Sequence, residues 1–314
     1  MTRILITGGL GFLGSHLARA LVGEEVIILD SHPNDERVRD ISGKVKIIRA
    51  SLGGDVKKIV RDINADVVFH LGAFTLPYRE KSFLGASMEA NIRGTANLLE
   101  ALAETNVKKF IYTSSSEVYG SQNIAPFTEK MVPRPTSPYS VTKLAGETYT
   151  MFYNDTYGLP ATVLRLFNIY GPYQTPNRVI PEVIVSCLKG APFRMTRGEQ
   201  TREFNYVDDM VDALVLASKS DVRGEIINVG CGEGVAIKDV VKKVVTLMDA
   251  RIIVEKTMPY RDNEIWKMFS DSSKSHKLLG WHPKIPLEEG LKRTTEWYKK
   301  QWALNKDSIC FKGE

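Results

Sequence analysis

A glycine-rich turn between two apolar segments lies within the first thirty residues and constrains the fold more than any other feature. The apolar segment 4–7 is followed by glycines at positions 8, 9, 11 and 14 and by an amphipathic helical pattern. A second apolar segment, 26–29, ends at Asp30. Such glycines let the chain turn tightly, let backbone N–H groups approach a pyrophosphate, and let helix and strand pack closely. The pattern therefore predicts a dinucleotide-binding βαβ unit.

The same unit predicts which residues contact the dinucleotide. A helix N-terminus carries partial positive charge that attracts phosphates. An acid about 20 positions after the glycines accepts a hydrogen bond from a ribose 2′-hydroxyl and repels a 2′-phosphate, so Asp30 favours NAD over NADP. Glycine is also favoured in any tight strand-to-helix turn, whatever its function. A purely structural turn is nevertheless the less favoured interpretation, because a strand, a helix, a second strand and a terminal acid occur here in register. The turn residues that we expect to contact NAD are Gly8, Gly11, Phe12, Leu13 and Gly14.

Composition limits the class of protein and its compartment. The chain has 314 residues, of which 43% are hydrophobic and 25% are charged, as is ordinary for a globular protein. No apolar segment approaches the ~18–20 residues that a membrane span requires. Because Met1 leads directly into the first predicted strand, we expect no signal peptide. Three widely spaced cysteines suit a reducing compartment, so we expect a cytoplasmic protein.

Charge and histidine spacing exclude two further classes. The formal net charge is +5, but the basic pairs are dispersed along helical segments beside acidic residues. This distribution is typical of a solvated surface, so we expect no nucleic-acid partner, and a small anionic substrate explains the positive bias equally well. The five histidines show no metal-ligand spacing, so we expect no metal site.

Strand-like segments alternate with helical patterns through the first half of the chain. The predicted strands are 45–48, 67–70, 110–113 and 161–166, and the predicted helices lie around 55–63, 83–104 and 138–157. This alternation predicts an α/β fold with a doubly wound parallel sheet of the Rossmann type. Ligands of such sheets bind beyond the carboxyl ends of the strands.

The second half of the chain has longer loops and mixes short strands with helices. We predict these helices around 179–189, 208–219, 237–248 and 286–301. We expect a Rossmann domain over 1–170, with contributions from about 204–230. The remaining segments, 171–203 and 231–314, should form a smaller mixed α/β region that binds the substrate and builds the other wall of a cleft.

Three side chains are candidates for proton transfer. Ser115 lies in a serine-rich segment at the end of the predicted strand 110–113, and Tyr139 and Lys143 share one face of the predicted helix 138–157. A buried ammonium beside a phenol should lower the phenol pKa from ~10 toward the working pH. Such a set suits removal of a proton from a carbinol while hydride leaves its carbon for NAD⁺. A Tyr-x-x-x-Lys spacing also occurs on ordinary helix surfaces, but its place after the glycine turn favours catalysis.

Several further motifs stand beside these residues. They are 7–14, 70–73, 91–95, 165–172, 201–209 and 279–283. With them, from about residue 3 to about 301, the sequence resembles the extended short-chain dehydrogenases/reductases that act on nucleotide sugars, the NAD-dependent epimerase/dehydratase group. The resemblance implies an enzyme, NAD as cofactor and a nucleotide-diphosphate sugar as substrate. It also implies a homodimer formed through the helices around 83–104 and 138–157.

The resemblance assigns expected roles to individual residues. Tyr139 and Lys143 would act beside the nicotinamide and Ser115 would contact the substrate, whereas Asn168 would meet the sugar or its phosphate. The arginines implied as diphosphate ligands are Arg202 and Arg261, whose guanidinium forks suit phosphate oxygens. Their alternative partners are the nearby carboxylates Glu203, Asp262 and Glu264.

Other contacts follow from the same resemblance. The implied cofactor contacts beyond the glycine turn are Ser51, Leu52, Leu71 and Ala73, and the implied substrate contacts are Asn91 and Ser116. The family usually has an aspartate on the adenine side after the third strand, and here Ser51 and Leu52 stand in that place. This departure concerns the adenine pocket and leaves the expected fold unchanged.

The reaction itself depends on Glu117. Members of this group begin by oxidising C4 of the hexose to a ketone. A 4-epimerase then returns hydride to the other face, whereas a 4,6-dehydratase also removes the C5 proton and needs a carboxylate there. Glu117 stands where the dehydratases of the family place this base, so we lean toward a 4,6-dehydratase, with a 4-epimerase as the alternative. Many dehydratases have an aspartate before this glutamate, but Ser116 occurs here, as in GDP-mannose 4,6-dehydratases and uronate decarboxylases.

Three other functions remain as less favoured alternatives. The intact segment 137–139, Ser-Pro-Tyr, argues against a uronate decarboxylase. Asp30 argues against a keto-sugar reductase that uses exogenous NADPH. The presence of Ser115, Tyr139 and Lys143 argues against a non-enzymatic NAD-sensing protein, because such proteins typically lose the Tyr/Lys pair.

Overall fold

A seven-stranded sheet forms the centre of the structure, a computed structural model that describes residues 1–75, 81–306, 308 and 311. In chain order the strands are β1 (Arg3–Thr7), β2 (Glu25–Asp30), β3 (Val45–Arg49), β4 (Val67–His70), β5 (Lys109–Ser115), β6 (Ala161–Leu166), β7 (Ile169–Tyr170), β8 (Phe193–Arg194), β9 (Thr201–Arg202), β10 (Asn205–Tyr206), β11 (Glu225–Val229), β12 (Val235–Ala236), β13 (Val254–Glu255) and β14 (Lys267–Met268). The sheet has the order β11-β6-β5-β4-β1-β2-β3, and all neighbours are parallel. The predicted doubly wound α/β fold is confirmed.

Helices cover both faces of this sheet and build most of the second region. They are α1 (Phe12–Ala20), α2 (Lys57–Ile63), α3 (Leu84–Ser87), α4 (Gly94–Leu102), α5 (Pro138–Tyr157), α6 (Val179–Lys189), α7 (Val207–Lys219), α8 (Ile237–Met248), α9 (Ser273–Leu279) and α10 (Leu287–Leu304). Short 3-10 turns occur at Glu36–Lys44, Lys81–Phe83 and Ser116–Tyr119. Within the described ranges, no helix combines the length and the apolar character that crossing a membrane requires.

The alternation of side chains along β1 explains why both faces of the sheet are covered. Ile4 and Ile6 join the buried cluster that includes Leu17 of α1 and Met210 of α7. Leu5 points to the opposite face, where residues of α2 and α4 form a second buried cluster. Because each face is apolar, each needs a helical layer. Each large apolar side chain buried in this way contributes about 1.5–3 kcal/mol.

Helix α5 has strong signals at both ends, which fix the position of its first turn. The Ser137 side chain accepts a hydrogen bond from the backbone N–H of Ser140, and the Ser140 side chain accepts from the backbone N–H of Ser137. This reciprocal capping box, with Pro138 in the first turn, holds the helix start beside the carboxyl end of β5. Gly158 ends the helix with a positive φ of 71°.

The predicted helix around 83–104 is interrupted. It consists of α3, a π-helical turn over Met88–Arg93, and α4. Inside the turn, the Asn91 side chain accepts from the Phe74 backbone N–H at 2.6 Å and donates to the Phe74 carbonyl at 3.0 Å. A π-helical turn re-aims side chains locally, and here it directs Asn91 to the chain that follows β4.

Another buried cluster lies outside the large sheet. Residues of α6, α8 and α10 contribute to it, including Val183, Val240 and Leu291. Strand β9 pairs with β12 and with β14 to make a small three-stranded sheet. Meanwhile β11 returns to the large sheet beside β6, and β10 pairs with β7 in a separate two-stranded sheet.

Candidate functional site

The glycine turn brings three chain segments into backbone contact. Gly8 has a φ of +71°, and a Cβ there would lie 2.6 Å from the Gly72 backbone nitrogen. A Cβ at Gly14 would lie 2.2 Å from the Gly8 carbonyl oxygen. Helix α1 begins after Gly11 with no side-chain cap, so the first-turn N–H groups, including those of Phe12 and Leu13, face the turn for an anionic ligand. The turn therefore has the shape that a pyrophosphate requires.

Asp30 closes this turn from the end of β2. One carboxylate oxygen accepts from the Leu10 backbone N–H at 2.9 Å, and the other accepts from the His32 N–H at 2.9 Å. A carboxylate has about four acceptor positions, so two remain for ribose hydroxyls. Asp30 is partly exposed, and its position and chemistry fit NAD.

The remaining predicted cofactor contacts lie at the same edge of the sheet. Leu71 and Ala73 follow β4 directly and are partly exposed. The region around Gly72 joins them to the chain after β3, because a Cβ at Gly72 would lie 3.2 Å from Leu52 Cδ1. Ser51 is exposed beside Leu52. The structure thus brings these four predicted residues to one edge, where we retain them as proposed cofactor contacts.

Ser115 and Tyr139 meet where β5 ends and α5 begins. The Ser115 hydroxyl oxygen accepts from the Glu117 backbone N–H at 3.2 Å and caps the turn Ser116–Tyr119. A hydrogen bond with Ser115 also lowers the pKa of the Tyr139 phenol. Burial has a larger and opposite effect and raises that pKa above its ordinary value of 10.0. The prediction of a lowered phenol pKa is therefore wrong for the chain by itself.

Lys143, the cation that the sequence places beside this phenol, is itself buried. Only 3% of the residue is exposed, and its Nζ lies 4.6 Å from the centre of the Tyr112 ring. Burial lowers the pKa of Lys143 to about 7, and the negative charge of Glu147 acts in the opposite direction. Near neutral pH the amine is therefore only partly protonated, so it cannot stabilise a Tyr139 phenolate as a permanent charge would.

Glu117 lies in the turn that follows Ser115 and is partly exposed. The turn packs against α5, and the negative charge of Glu117 raises the pKa of Tyr139. In the part of the chain that the structure describes, its carboxylate makes no hydrogen bond and no ion pair. Glu117 is therefore a carboxylate beside the phenol that is not committed to a structural contact.

Arg178 belongs to the site but was not predicted from the sequence. It precedes α6 and donates a hydrogen bond from Nη2 to the Thr75 carbonyl oxygen at 2.9 Å. Its positive charge lowers the pKa of Tyr139, although burial outweighs that effect. This arginine approaches the phenol from the second region of the chain. The available sequence signal was a cation in the long loop just before the predicted helix 179–189.

Two residues that the resemblance places at the substrate are buried and make contacts within the protein. The Asn91 amide is 1% exposed and uses its groups on Phe74 and on the Thr142 hydroxyl, 2.8 Å away. Ser116 is 2% exposed and its hydroxyl lies 3.2 Å from the Met268 sulfur. Both side chains thus have partners within the protein, and their expected substrate contacts stay predictions.

The residues proposed to bind the phosphates differ in whether they already contact another group of the protein. Arg202 forms an ion pair with Glu264 at 2.5 Å, and both side chains are largely buried. Arg261 is exposed. Asn168 is partly buried, and its backbone carbonyl accepts from the Asn205 N–H at 2.8 Å. Arg202 therefore realises the ion-pair alternative in this structure.

Comparison with known proteins places this site in context. The sequence profile described as "NAD dependent epimerase/dehydratase family" matches residues 4–230. A dTDP-D-glucose 4,6-dehydratase of Homo sapiens is 33% identical over 325 residues, which cover 96% of this chain and 91% of that protein. The crystal structure of UDP-glucose 4-epimerase from Thermotoga maritima with UDP-glucose is 32% identical, with a TM-score of 0.89 and coverage of 96% and 99%. UDP-glucose 4-epimerase of Thermus thermophilus, solved with NAD, is 31% identical, with a TM-score of 0.88 and coverage of 95% and 99%.

Proposed function

This chain belongs to the NAD-dependent epimerase/dehydratase family, and from that premise we propose that it is a nucleotide-diphosphate hexose 4,6-dehydratase in which Glu117 is the C5 base. It is an NAD-dependent enzyme of the nucleotide-sugar dehydratase and epimerase group. The single observation that supports the finer proposal is the Glu117 carboxylate, which lies beside Tyr139 with no structural partner among the described residues.

The first step is the removal of a proton from the C4 hydroxyl. Tyr139 accepts this proton as its phenolate, and Ser115 donates a hydrogen bond to the same C4 oxygen. Arg178 stabilises the phenolate, against the burial that raises the pKa of Tyr139. We assign the same role to the protonated form of Lys143, which lies one helical turn further along the same face of α5. NAD, when bound by the glycine turn and Asp30, supplies the hydride acceptor for C4 and later the hydride for C6.

The second step is the loss of water across C5 and C6. The C4 ketone makes the C5 proton acidic, and Glu117 accepts it. With Ser116 buried against Met268, Glu117 also returns the proton to the departing C6 hydroxyl, which leaves as water. The proton taken up by Tyr139 is then available, through solvent, for C5 when C6 receives hydride. The product is a 4-keto-6-deoxy sugar, so one water is lost and no net oxidation occurs.

The alternative function is a nucleotide-diphosphate hexose 4-epimerase. It is favoured by the structures of the Thermotoga and Thermus 4-epimerases, which match almost the whole chain with TM-scores of 0.89 and 0.88. An epimerase would use Ser115 and Tyr139 as described and would leave Glu117 without a chemical role.

Substrate binding and assembly complete the proposal. We place the sugar diphosphate beside Asn168, Arg202 and Arg261 in the cleft-forming region, where Arg202 would exchange its Glu264 contact for a phosphate oxygen. The division into a Rossmann domain and a nucleotide-sugar region, and the cytoplasmic location, stay predictions.

A homodimer is proposed through α3, the π-helical turn and α5. These elements pack against one another and carry exposed apolar side chains on their outer surface. The exposed residues are Leu84, Met88, Val141, Tyr149 and Phe152. Such a group of exposed apolar side chains is typical of a protein contact surface.

A product survey tests the reaction. Purified enzyme with NAD⁺ is incubated with UDP-, dTDP- and GDP-hexoses, and the product mass is followed. Loss of one water supports the dehydratase, whereas an isobaric C4 epimer would replace it with the alternative. Glu117→Gln should abolish loss of water while C4 oxidation stays measurable. The matched control is Glu296→Gln, because Glu296 is an exposed carboxylate on α10.

A further inference from the structure

A buried ion pair lies behind the proposed catalytic residues and has no role in the steps above. Arg165 of β6 donates from Nε to one Glu147 oxygen at 2.9 Å and from Nη2 to the other at 2.7 Å. The two side chains are 3% and 2% exposed. A buried ion pair of this kind often adds little to stability compared with apolar side chains of the same size. Its presence at this place therefore calls for another explanation.

The position of Glu147 on α5 supplies that explanation. It follows Lys143 by four residues, so both side chains lie on the same face of the helix. Lys143 is almost fully buried, with Tyr112 of β5 on one side. The bidentate contact with Arg165 fixes the Glu147 carboxylate, so its charge stays in one place relative to Lys143.

We propose that Glu147, fixed by Arg165, is a positioning residue that favours the protonated form of the buried Lys143 amine and holds it on the face of α5 that also carries Tyr139. The proposal rests on the proposed role of Lys143 in proton transfer. Neither Glu147 nor Arg165 needs to touch the substrate or the cofactor, because the effect is electrostatic and acts through Lys143.

The groups that face Lys143 from neighbouring elements support this assignment. His70 of β4 is buried and neutral, because burial and, secondarily, Lys143 lower its pKa to about 3. Tyr112 of β5 stays a neutral phenol, since burial raises its pKa well above 10.0. The phenol of Tyr139 on α5 is likewise neutral near pH 7. Glu147 is thus the charged group that opposes the effect of burial on Lys143.

Arg165 is also held by its surroundings. Its guanidinium carbon lies 4.8 Å from the centre of the Tyr119 ring, and its Nη1 is buried without a hydrogen-bond partner among the described residues. The arginine is thus fixed by one carboxylate and one aromatic face. This arrangement holds Glu147 firmly and prevents it from turning toward solvent.

The test measures the protonation of Lys143 directly, without substrate. The full-length protein is labelled with ¹⁵N-lysine and titrated by NMR, and the Lys143 signal is assigned by its loss in Lys143→Met. In Glu147→Gln the midpoint should fall by about one pH unit or more, since an opposite charge within a few ångströms shifts a pKa by about 1–3 units. The matched control Asp155→Asn, an exposed carboxylate on the same helix, should titrate as the wild type.

A second variant covers the outcome in which Glu147→Gln does not fold because Arg165 loses its partner. In the double variant Glu147→Leu with Arg165→Met, both charges are replaced by apolar side chains of similar size, which proteins often tolerate. The midpoint should again fall. An unchanged midpoint in the folded variants would overturn the proposal. Because the titration needs no turnover, that result is distinct from a failure of the dehydratase assignment.

Discussion

The close approach of Gly14 to the glycine turn gives a quantitative prediction. Gly14 lies inside α1, where alanine is intrinsically better than glycine by about 1 kcal/mol. A Cβ at this position would nevertheless lie 2.2 Å from the Gly8 carbonyl oxygen and 2.7 Å from the Gly9 Cα, whereas ordinary contacts begin at 3.4 Å. Gly14→Ala must therefore push α1 away from the turn by roughly 1 Å, the difference between these distances.

The magnitude follows from two opposing effects. Overpacking of this kind costs about 1–3 kcal/mol or more, and the backbone here cannot move aside as a flexible side chain would. Because the backbone cannot move aside, we expect a cost of about 2–3 kcal/mol. After the gain in helix propensity of about 1 kcal/mol, the net loss in the free energy of unfolding should be about 1–2 kcal/mol. The displaced helix N-terminus should also weaken NAD binding by about tenfold or more, which corresponds to about 1.4 kcal/mol.

Urea unfolding and calorimetric titration with NAD measure the two effects. The matched control is Gly85→Ala, because Gly85 lies in α3 and a Cβ there would meet no atom within 4 Å. This control should be neutral or slightly stabilising and should bind NAD as the wild type does. Wild-type stability and wild-type NAD affinity in Gly14→Ala would refute the assignment of a close-packed phosphate turn.

Three further predictions use other parts of the site. Tyr139→Phe should lower turnover by about 10²–10⁴-fold while NAD still binds, and Tyr149→Phe, an exposed tyrosine on the same helix, should stay active in the same steady-state assay. In Lys143→Met, an increase of the free energy of unfolding with pH should disappear. The pKa of Lys143 is about 7 in the folded protein and ~10.4 in the unfolded chain. Between these two values the unfolded wild-type chain binds the additional proton, so the folded state becomes more stable as the pH rises. Urea unfolding should therefore show that the variant gains more free energy of unfolding, relative to the wild type, at pH 7 than at pH 9. An equal difference at both pH values would contradict this. Phe152→Asp should convert a dimer into monomers in sedimentation velocity, and an unchanged sedimentation coefficient would argue against that surface.

The large sheet could be predicted because its signals are local. The apolar segments 67–70 and 161–166 have the bounds of β4 and β6, and the helix predicted over 138–157 has the bounds of α5. The helix predicted around 83–104 differs because its interruption is a tertiary effect. The amide of Asn91 binds the backbone of Phe74, seventeen residues earlier, and no periodicity in 83–104 records that contact.

The site was harder to predict than the fold, for the same reason. Motif spacing was enough to predict that Ser115 lies near Tyr139, since Ser115 ends a strand and Tyr139 lies in the first turn of a helix. Spacing could not show that Ser116 faces Met268, which lies 152 residues later, or that Arg202 contacts Glu264. It also missed Arg178, whose effect on Tyr139 depends on how the second region packs against the sheet.

Solvent deuterium at C5 of the product tests the central proposal most directly. The enzyme is incubated in D₂O with the nucleotide sugar that it converts, and the product is analysed by mass spectrometry and NMR. If Glu117 removes the C5 proton, the dehydrated product carries one deuterium at C5, because the proton returned there comes from solvent. A product that retains its original C5 hydrogen, with no loss of water, would contradict the dehydratase assignment and the role of Glu117 as base.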